Sequence, residues 1–148
     1  PDGDQGYPGT ADIYVTYSLD KDDKLDIFYE ALSDKDTILN MTNHSYFNLD
    51  GHNSGTILKH YMEIYSGQML ELGNDMIPTG EIIDISDTPF DFRKSKQIGK
   101  DGAIYNKRSG VCFETQFYPN SCNNPEFSSC ILPAYKIFKS RTVYQFFA

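Results

Sequence analysis

The stretch IYVTYSLDKDDKLDIFYEA, residues 13–31, alternates apolar and polar side chains on both sides of a charged segment, residues 20–24. One face of the first run carries Ile13, Val15, Tyr17 and Leu19, and the second run repeats the alternation with Leu25, Ile27, Tyr29 and Ala31. A period of two residues is typical of a strand with one face on a core. The stretch therefore predicts a β-hairpin with a polar loop and a half-buried first strand.

Outward from this hairpin, the same pattern recurs in short runs. Further strands are predicted at residues 36–46, 61–65, 82–85, 111–118 and 141–147. Turn residues at 73–75 and 78–80 separate two of these runs, and residues 86–110 are polar and irregular. Because no window has a sustained helical period, we predict an all-β fold, an antiparallel β-sandwich, formed as a single domain by residues 1–148.

Composition limits the partners of the chain. It has 148 residues, 39% of them hydrophobic and 23% charged, with eleven Tyr, ten Phe and a net charge of -8. This acidic balance argues against nucleic acid or an anionic membrane surface and favours a neutral or cationic ligand. No apolar run reaches the roughly 18 residues of a membrane helix, and no signal peptide is recognisable, so we expect a cytoplasmic protein.

The cysteines and two of the histidines lack the spacing of a metal site. Cys112, Cys122 and Cys130 cannot all pair with one another and form no CxxC motif, which favours free thiols over metal binding. His52 and His60 lie eight residues apart, which is no metal-ligand spacing, so both are interpreted as surface residues. Phosphate-binding glycine loops are also absent, so no nucleotide cofactor is expected.

A dense polar and aromatic run, TNHSYFNLDG at residues 42–51, contains the first candidate for chemistry. Histidine titrates near neutral pH, with an ordinary pKa of about 6.5, so His44 could act as an acid or a base. If the strand continues through this run, His44 shares a face with Thr42 and Tyr46. The alternative is a structural histidine that caps a turn, and spacing alone does not exclude it.

Glu114 is the second candidate, because it lies within the alternating run at 111–118 with Cys112 and Gln116 as its same-face neighbours. A carboxylate at such a position lies either on a solvated face or in a cleft where it can act as a base. Charged residues in DTPFDFR, residues 87–93, are instead interpreted as a salt-bridged turn. The members of this turn are Asp87, Asp91 and Arg93.

Several motifs resemble the aldose 1-epimerases, or galactose mutarotases. Three motifs, GTILKHYMEIYS at 55–66, IPTGEI at 77–82 and TPFDFR at 88–93, follow TNHSYFNLDG and resemble the central part of that family. DGDQGYPG at 2–9 and the hairpin resemble the stretch before it, and SGVCFETQFYPNSCNNPEF at 109–127 with TVYQFF at 142–147 resembles the C-terminal part. The resemblance spans nearly the whole chain.

The resemblance implies a β-sandwich enzyme that interconverts the α and β anomers of aldohexoses, such as galactose and glucose, without a cofactor or metal. By resemblance, His44 matches the acid that protonates the ring oxygen, and Glu114 matches the base that acts on the anomeric hydroxyl. The neighbours Asn43, Tyr46 and Asn48 are expected to bind the sugar.

The chain also departs from the family. Family members are longer, and both an N-terminal portion and an internal block near residues 97–101 have no counterpart here. By the resemblance, these portions carry a second sugar-binding histidine, an arginine, an aspartate and a glutamine. We therefore expect an incomplete sandwich with unpaired strand edges that could self-associate. The alternative function is a catalytically inactive, truncated homologue with a carbohydrate-binding or interaction role.

Overall fold

The computed structural model of the chain describes residues 1–99 and 109–147. Predictions that involve residues 100–108, including part of the irregular segment at 86–110, lie outside the described residues. Within the described part, no helix is long and apolar enough to cross a bilayer.

Strands make up most of the regular secondary structure of the described residues, and the helical content there is three single 3-10 turns at Asp4–Gly6, Ile57–Lys59 and Ser121–Asn123. The strands are β1 (Ala11–Leu19), β2 (Lys24–Ser33), β3 (Thr37–Ile38), β4 (Tyr61–Met62), β5 (Gln68–Leu72), β6 (Pro78–Asp84), β7 (Lys96–Gln97), β8 (Ile131–Leu132) and β9 (Ile137–Gln145). All of their pairings are antiparallel. The prediction of an all-β, antiparallel fold is confirmed.

The predicted hairpin forms the main sheet, whose strand order is β1-β2-β9. Leu19 lies opposite Leu25 at the turn, and the pairing continues without a break to Ala11 opposite Ser33. The charged loop closes through Asp20, whose Oδ1 accepts hydrogen bonds from the backbone N–H of Asp22 (2.8 Å) and of Lys24 (3.1 Å). An aspartate that binds the amide two residues onward is a common device in tight turns.

The core of this sheet is built from the central strand. Ile27, Tyr29 and Ala31 of β2 are 1%, 3% and 2% exposed, as their alternation predicts. Ala31 packs in a buried cluster with Leu39 and Leu132, and Met41 and Phe138 pack against this cluster. The neighbour strand β1 differs, because all nine of its residues are exposed.

The prediction that β1 is half-buried is therefore wrong for the described chain. Both faces of β1 are open, and its exposed apolar residues are Ile13, Tyr14, Val15, Tyr17 and Leu19. Alternation places one set of side chains on one face, but burial of that face needs a second layer above it. No layer of the described residues covers β1.

Two compact units are found. The first comprises Pro1–Thr42 with Thr115–Ala148 and contains the main sheet and the β3–β8 pair. The second comprises Asn43–Glu114 and contains the β4–β7 and β5–β6 pairs and an isolated antiparallel bridge between Phe47 and Val111. That residues 1–148 form a single domain stays a prediction.

Two predicted strands are largely absent. The run at 36–46 forms only the two-residue β3, and the run at 111–118 forms only the bridge at Val111, so Glu114 does not lie within a strand. The two runs are joined by side-chain hydrogen bonds of Asn40 and not by hydrogen bonds between two strands. Asn40 Nδ2 donates to the carbonyl of Phe117 (3.2 Å), and Asn40 Oδ1 accepts from the N–H of Phe117 (2.9 Å). The backbone groups of residue 117 are thus satisfied without a strand partner.

The remaining boundaries shift from their predictions. Strand β4 ends at Met62, short of residue 65, and β5 was not predicted. The predicted break at 78–80 lies inside β6, where Pro78 occupies the first position of the strand and so leaves no interior ladder bond unmade. The last strand is found at Ile137–Gln145, a few residues before the predicted 141–147.

Candidate functional site

The Phe47–Val111 bridge brings two distant segments together within the second unit. The N–H of Phe47 donates to the carbonyl of Val111 (2.8 Å), and the N–H of Val111 donates to the carbonyl of Phe47 (3.0 Å). The rings of Phe47 and Phe113 lie beside each other at a centroid separation of 6.4 Å. Because His44 lies three residues before one end of this bridge and Glu114 three residues after the other, the bridge sets their relative position.

His44 and Glu114 are in direct contact. Nε2 of His44 lies 3.1 Å from Oε1 of Glu114, and the two side chains are 58% and 29% exposed. When Glu114 is ionised, its oxygen can only accept, so the proton in this contact belongs to Nε2 of His44. A proton donor and a carboxylate therefore lie side by side and partly open to solvent.

The other ring nitrogen of His44 contacts a thiol. Nδ1 lies 3.3 Å from Sγ of Cys112, and the ring of Tyr46 packs against the imidazole with centroids 5.1 Å apart. In neutral imidazole the thiol S–H donates to Nδ1, and in imidazolium Nδ1–H donates to sulfur. Both arrangements leave a proton on Nε2, the atom that faces Glu114. Cys112 thus fixes the orientation of the ring through its second nitrogen.

Cys112 itself is held in the thiol form. Burial raises the pKa of the Cys112 thiol, the nearby negative charge of Glu114 raises it further, and a hydrogen bond with Tyr46 opposes both effects. The thiol is one of three free cysteines, as predicted. From the sequence it was interpreted as a free thiol and as a neighbour of Glu114 but not as a site residue, and the signal that could have found it is its position two residues before that glutamate.

The two asparagines of the TNHSYFNLDG run lie in turns. Oδ1 of Asn43 accepts from the N–H of Ser45 (3.1 Å). Asn48 braces the chain, since Nδ2 donates to the carbonyls of Ser109 (3.0 Å) and Gly55 (3.3 Å). These contacts join three chain segments around the bridge, so Asn48 has a structural role in addition to the sugar-binding role predicted for it.

A cleft of about 500 Å³ begins at Tyr46. Its other lining residues are Asn48, Gly51, His52, Asn53, Gly55 and Ser109. Amide, imidazole and hydroxyl groups around an open cleft suit a ligand rich in hydroxyl groups. Tyr46 lines this cleft and also packs against the imidazole of His44, so the cleft adjoins the His44 cluster.

The other charged candidates have structural surroundings. His52 is exposed, but the prediction that His60 is a surface residue is wrong, because its side chain is only 13% exposed and its Nε2 lies 3.1 Å from Oδ2 of Asp50. Of the salt-bridged turn predicted at 87–93, the ion pair of Arg93 with Asp91 is found, through Nε (2.9 Å) and Nη2 (2.6 Å). This bidentate pairing holds the pKa of Asp91 far below its ordinary value.

Comparison with known proteins supports the sequence resemblance. A family model of aldose 1-epimerase matches residues 1–104. The galactose mutarotase of Mus musculus is 30% identical over 207 aligned positions, which cover 99% of this chain and 60% of the mouse protein. The aldose 1-epimerase of Haemophilus influenzae is 42% identical over 101 positions, covering 68% of this chain and 30% of that protein. The chain thus spans about 60% of the length of the first of these relatives.

The mouse alignment is longer than the chain of 148 residues, so the relative carries internal residues with no counterpart here, as predicted. Among solved structures, a GalM/aldose epimerase homologue from C. elegans matches with a TM-score of 0.88 at 24% identity, covering 98% of this chain and 62% of that one. The galactose 1-epimerase from Lactobacillus acidophilus matches with a TM-score of 0.81 at 23% identity, covering 97% and 58%. The fold is therefore a partial β-sandwich of the type found in these epimerases. The family model and the mouse relative show that the chain belongs to the aldose 1-epimerase family.

Proposed function

We propose that the chain catalyses the interconversion of the α and β anomers of aldohexoses such as galactose and glucose, with His44 as the acid and Glu114 as the base. The observation that supports this most is the 3.1 Å contact between Nε2 of His44 and Oε1 of Glu114. The ring oxygen and the anomeric hydroxyl are bonded to the same carbon. Their acid and base must therefore lie within one or two hydrogen-bond lengths of each other.

Ring opening moves two protons in opposite senses. Nε2–H of His44 gives its proton to the ring oxygen as the bond from that oxygen to the anomeric carbon breaks. Glu114 takes the proton of the anomeric hydroxyl as the carbonyl forms. Rotation about the bond between the first two carbons presents the other carbonyl face. Ring closure then returns both protons, so His44 and Glu114 end in their starting states.

Sugar binding is assigned to the segment that carries His44. We place the sugar hydroxyls in the cleft next to Tyr46, with Asn43 and Asn48 as further polar groups on the same run. The amide of Asn48 is engaged with backbone carbonyls, which supports a role in shaping the cleft. Positioning of this kind can contribute roughly 7–11 kcal/mol to a reaction barrier.

The test is the rate of optical-rotation change of freshly dissolved α-galactose in the presence of the chain. Glu114→Gln keeps the size of the side chain and removes the base, so it should lower the enzymatic rate by about 10²–10⁴-fold. Glu63→Gln makes the same chemical change at an exposed position of the second unit and should leave the rate unchanged. Equal rates for the parent and Glu114→Gln would contradict the proposal.

The alternative function is that of an inactive homologue that binds carbohydrate or another protein. It accounts for the exposed His44 side chain and the open cleft without any chemistry. It predicts that galactose binds the parent and Glu114→Gln equally while neither accelerates anomer exchange. We further propose a cytoplasmic location. We also propose self-association through the uncovered strand β1, and analytical ultracentrifugation over a range of protein concentrations would test this association.

A further inference from the structure

Three different metal-ligand types meet at His44. Its imidazole, the thiol of Cys112 and the carboxylate of Glu114 offer one nitrogen, one sulfur and one oxygen, which all lie within 4.8 Å of one another. The imidazole contacts the sulfur through Nδ1 (3.3 Å) and the carboxylate through the opposite nitrogen, Nε2 (3.1 Å), so a single ion bound to one ring nitrogen draws the third ligand toward that side of the ring. The spacing of cysteines and histidines along the sequence shows nothing of this cluster, because Phe47 and Val111 assemble it from segments about seventy residues apart.

We propose that His44, Cys112 and Glu114 form a binding site for a thiophilic divalent cation such as Zn²⁺. This inference goes beyond the proposed function, which uses no metal. Zn²⁺ takes sulfur, nitrogen and oxygen ligands at about 2.0–2.3 Å, so tetrahedral geometry holds the ligand atoms roughly 3.3–3.7 Å apart. The atoms of this cluster need to move by little more than a bond length to reach those separations.

The charges of the cluster suit a divalent cation. Binding forms a Zn–S bond, breaks the S–H bond of Cys112 and releases its proton to solvent. Thiolate and carboxylate together then carry two negative charges, which neutralise the metal. Sulfur and imidazole nitrogen favour Zn²⁺ over Mg²⁺ or Ca²⁺, which prefer oxygen ligands. The exposed side of His44 leaves a fourth position for water.

Occupation of the site blocks the proposed acid and base together. A metal-bound carboxylate oxygen no longer accepts a proton, and the ion lies between His44 and Glu114, where the sugar would have to reach both. Zn²⁺ should therefore inhibit anomer exchange, and Mg²⁺ should not. The expected inhibition rests on the proposed function, whereas metal binding itself is independent of catalysis.

The test uses Co²⁺, which has visible spectra in Zn²⁺ sites. Titration of the whole chain with Co²⁺ should give the thiolate-to-metal charge-transfer band in the near ultraviolet, and added Zn²⁺ should remove the band by displacing Co²⁺. Cys112→Ser should abolish the band and weaken Zn²⁺ binding by at least about 100-fold, since loss of an outer-shell partner alone costs about 10–100-fold. Cys122→Ser removes an exposed thiol elsewhere and should leave the band unchanged.

A second measurement needs no variant. Zn²⁺ should protect Cys112 of the parent chain from alkylation by iodoacetamide, as located by mass spectrometry, while Cys122 continues to react. A charge-transfer band that persists in Cys112→Ser would overturn the proposal. So would the absence of any band in the parent, or alkylation of Cys112 at the same rate with and without Zn²⁺. Metal binding without inhibition would instead count against the proposed function only.

Discussion

Replacing Ile27 by alanine should lower the free energy of unfolding by about 3 kcal/mol. Ile27 is 1% exposed at the centre of the main sheet, so the substitution removes three fully buried carbons. At about 0.8 kcal/mol per carbon the transfer contribution is about 2.4 kcal/mol, and the cavity adds to it, within the usual range of about 2–5 kcal/mol.

The matched control is Ile13→Ala on the neighbouring strand β1, where the isoleucine is 46% exposed. Half of its surface is already in water, so the loss should be about 1 kcal/mol or less. Urea unfolding followed by circular dichroism measures both, and a 3 kcal/mol loss shifts the midpoint by about 1–3 M at ordinary slopes.

Equal losses for the two alanine variants would refute the reasoning, because they would mean that Ile13 is covered. If the shift for Ile13→Ala grew with protein concentration, self-association would be what covers β1. If Ile27→Ala does not fold, Ile27→Val removes one carbon and should cost about 0.5–1.5 kcal/mol.

Three further predictions concern single contacts. Asn40→Ala should lower the free energy of unfolding by about 1–3 kcal/mol, because the N–H and carbonyl of Phe117 lose the hydrogen bonds that the Asn40 amide makes to them. Urea unfolding measures the loss. Asp26→Asn should weaken the loss of stability at acidic pH. The Arg141 guanidinium lowers the pKa of Asp26, so the stabilisation from this ion pair is complete above the unfolded-state pKa of the carboxyl and is lost as pH falls through its folded-state pKa. Urea unfolding at several pH values measures this dependence. Cys112, whose pKa is raised, should react with iodoacetamide more slowly than exposed Cys122 at neutral pH, measured by mass spectrometry.

These outcomes have distinct contradicting results. An unchanged midpoint for Asn40→Ala would mean that water replaces its amide. A parallel pH curve for Asp26→Asn would mean that its pairing with Arg141 contributes nothing. Faster alkylation of Cys112 would mean that the thiolate is stabilised by His44 beyond the opposing effects of burial and Glu114.

Local patterns predicted the hairpin well, because β1 and β2 pair through contacts close in sequence. Burial of β1 could not be predicted in this way, since it depends on what lies above the strand and not on the strand itself. The run at 111–118 alternates like a strand, yet the amide of Asn40 takes the place of a strand partner. A single side chain that caps a backbone group leaves no periodic trace in a sequence.

The candidate site was predictable to a different degree for each residue. Chemistry alone singled out His44 and Glu114 but could not pair them, because the Phe47–Val111 bridge that joins their segments is non-local. The pairing was predicted from family resemblance. Cys112 was missed as a site residue because the three cysteines lack a metal-ligand spacing and were interpreted as free thiols, although its position two residues before Glu114 places both near His44.

The central claim is that His44 and Glu114 act as one acid–base unit. The most direct test compares anomer exchange of galactose, followed by NMR at equilibrium, for the parent, His44→Asn, Glu114→Gln and the double variant. When two residues act in the same step, the effects of their substitutions on the rate do not add. We therefore predict that the double variant loses no more rate than the more damaging single variant. Losses that multiply in the double variant, or a parent that exchanges anomers no faster than buffer, would contradict the account.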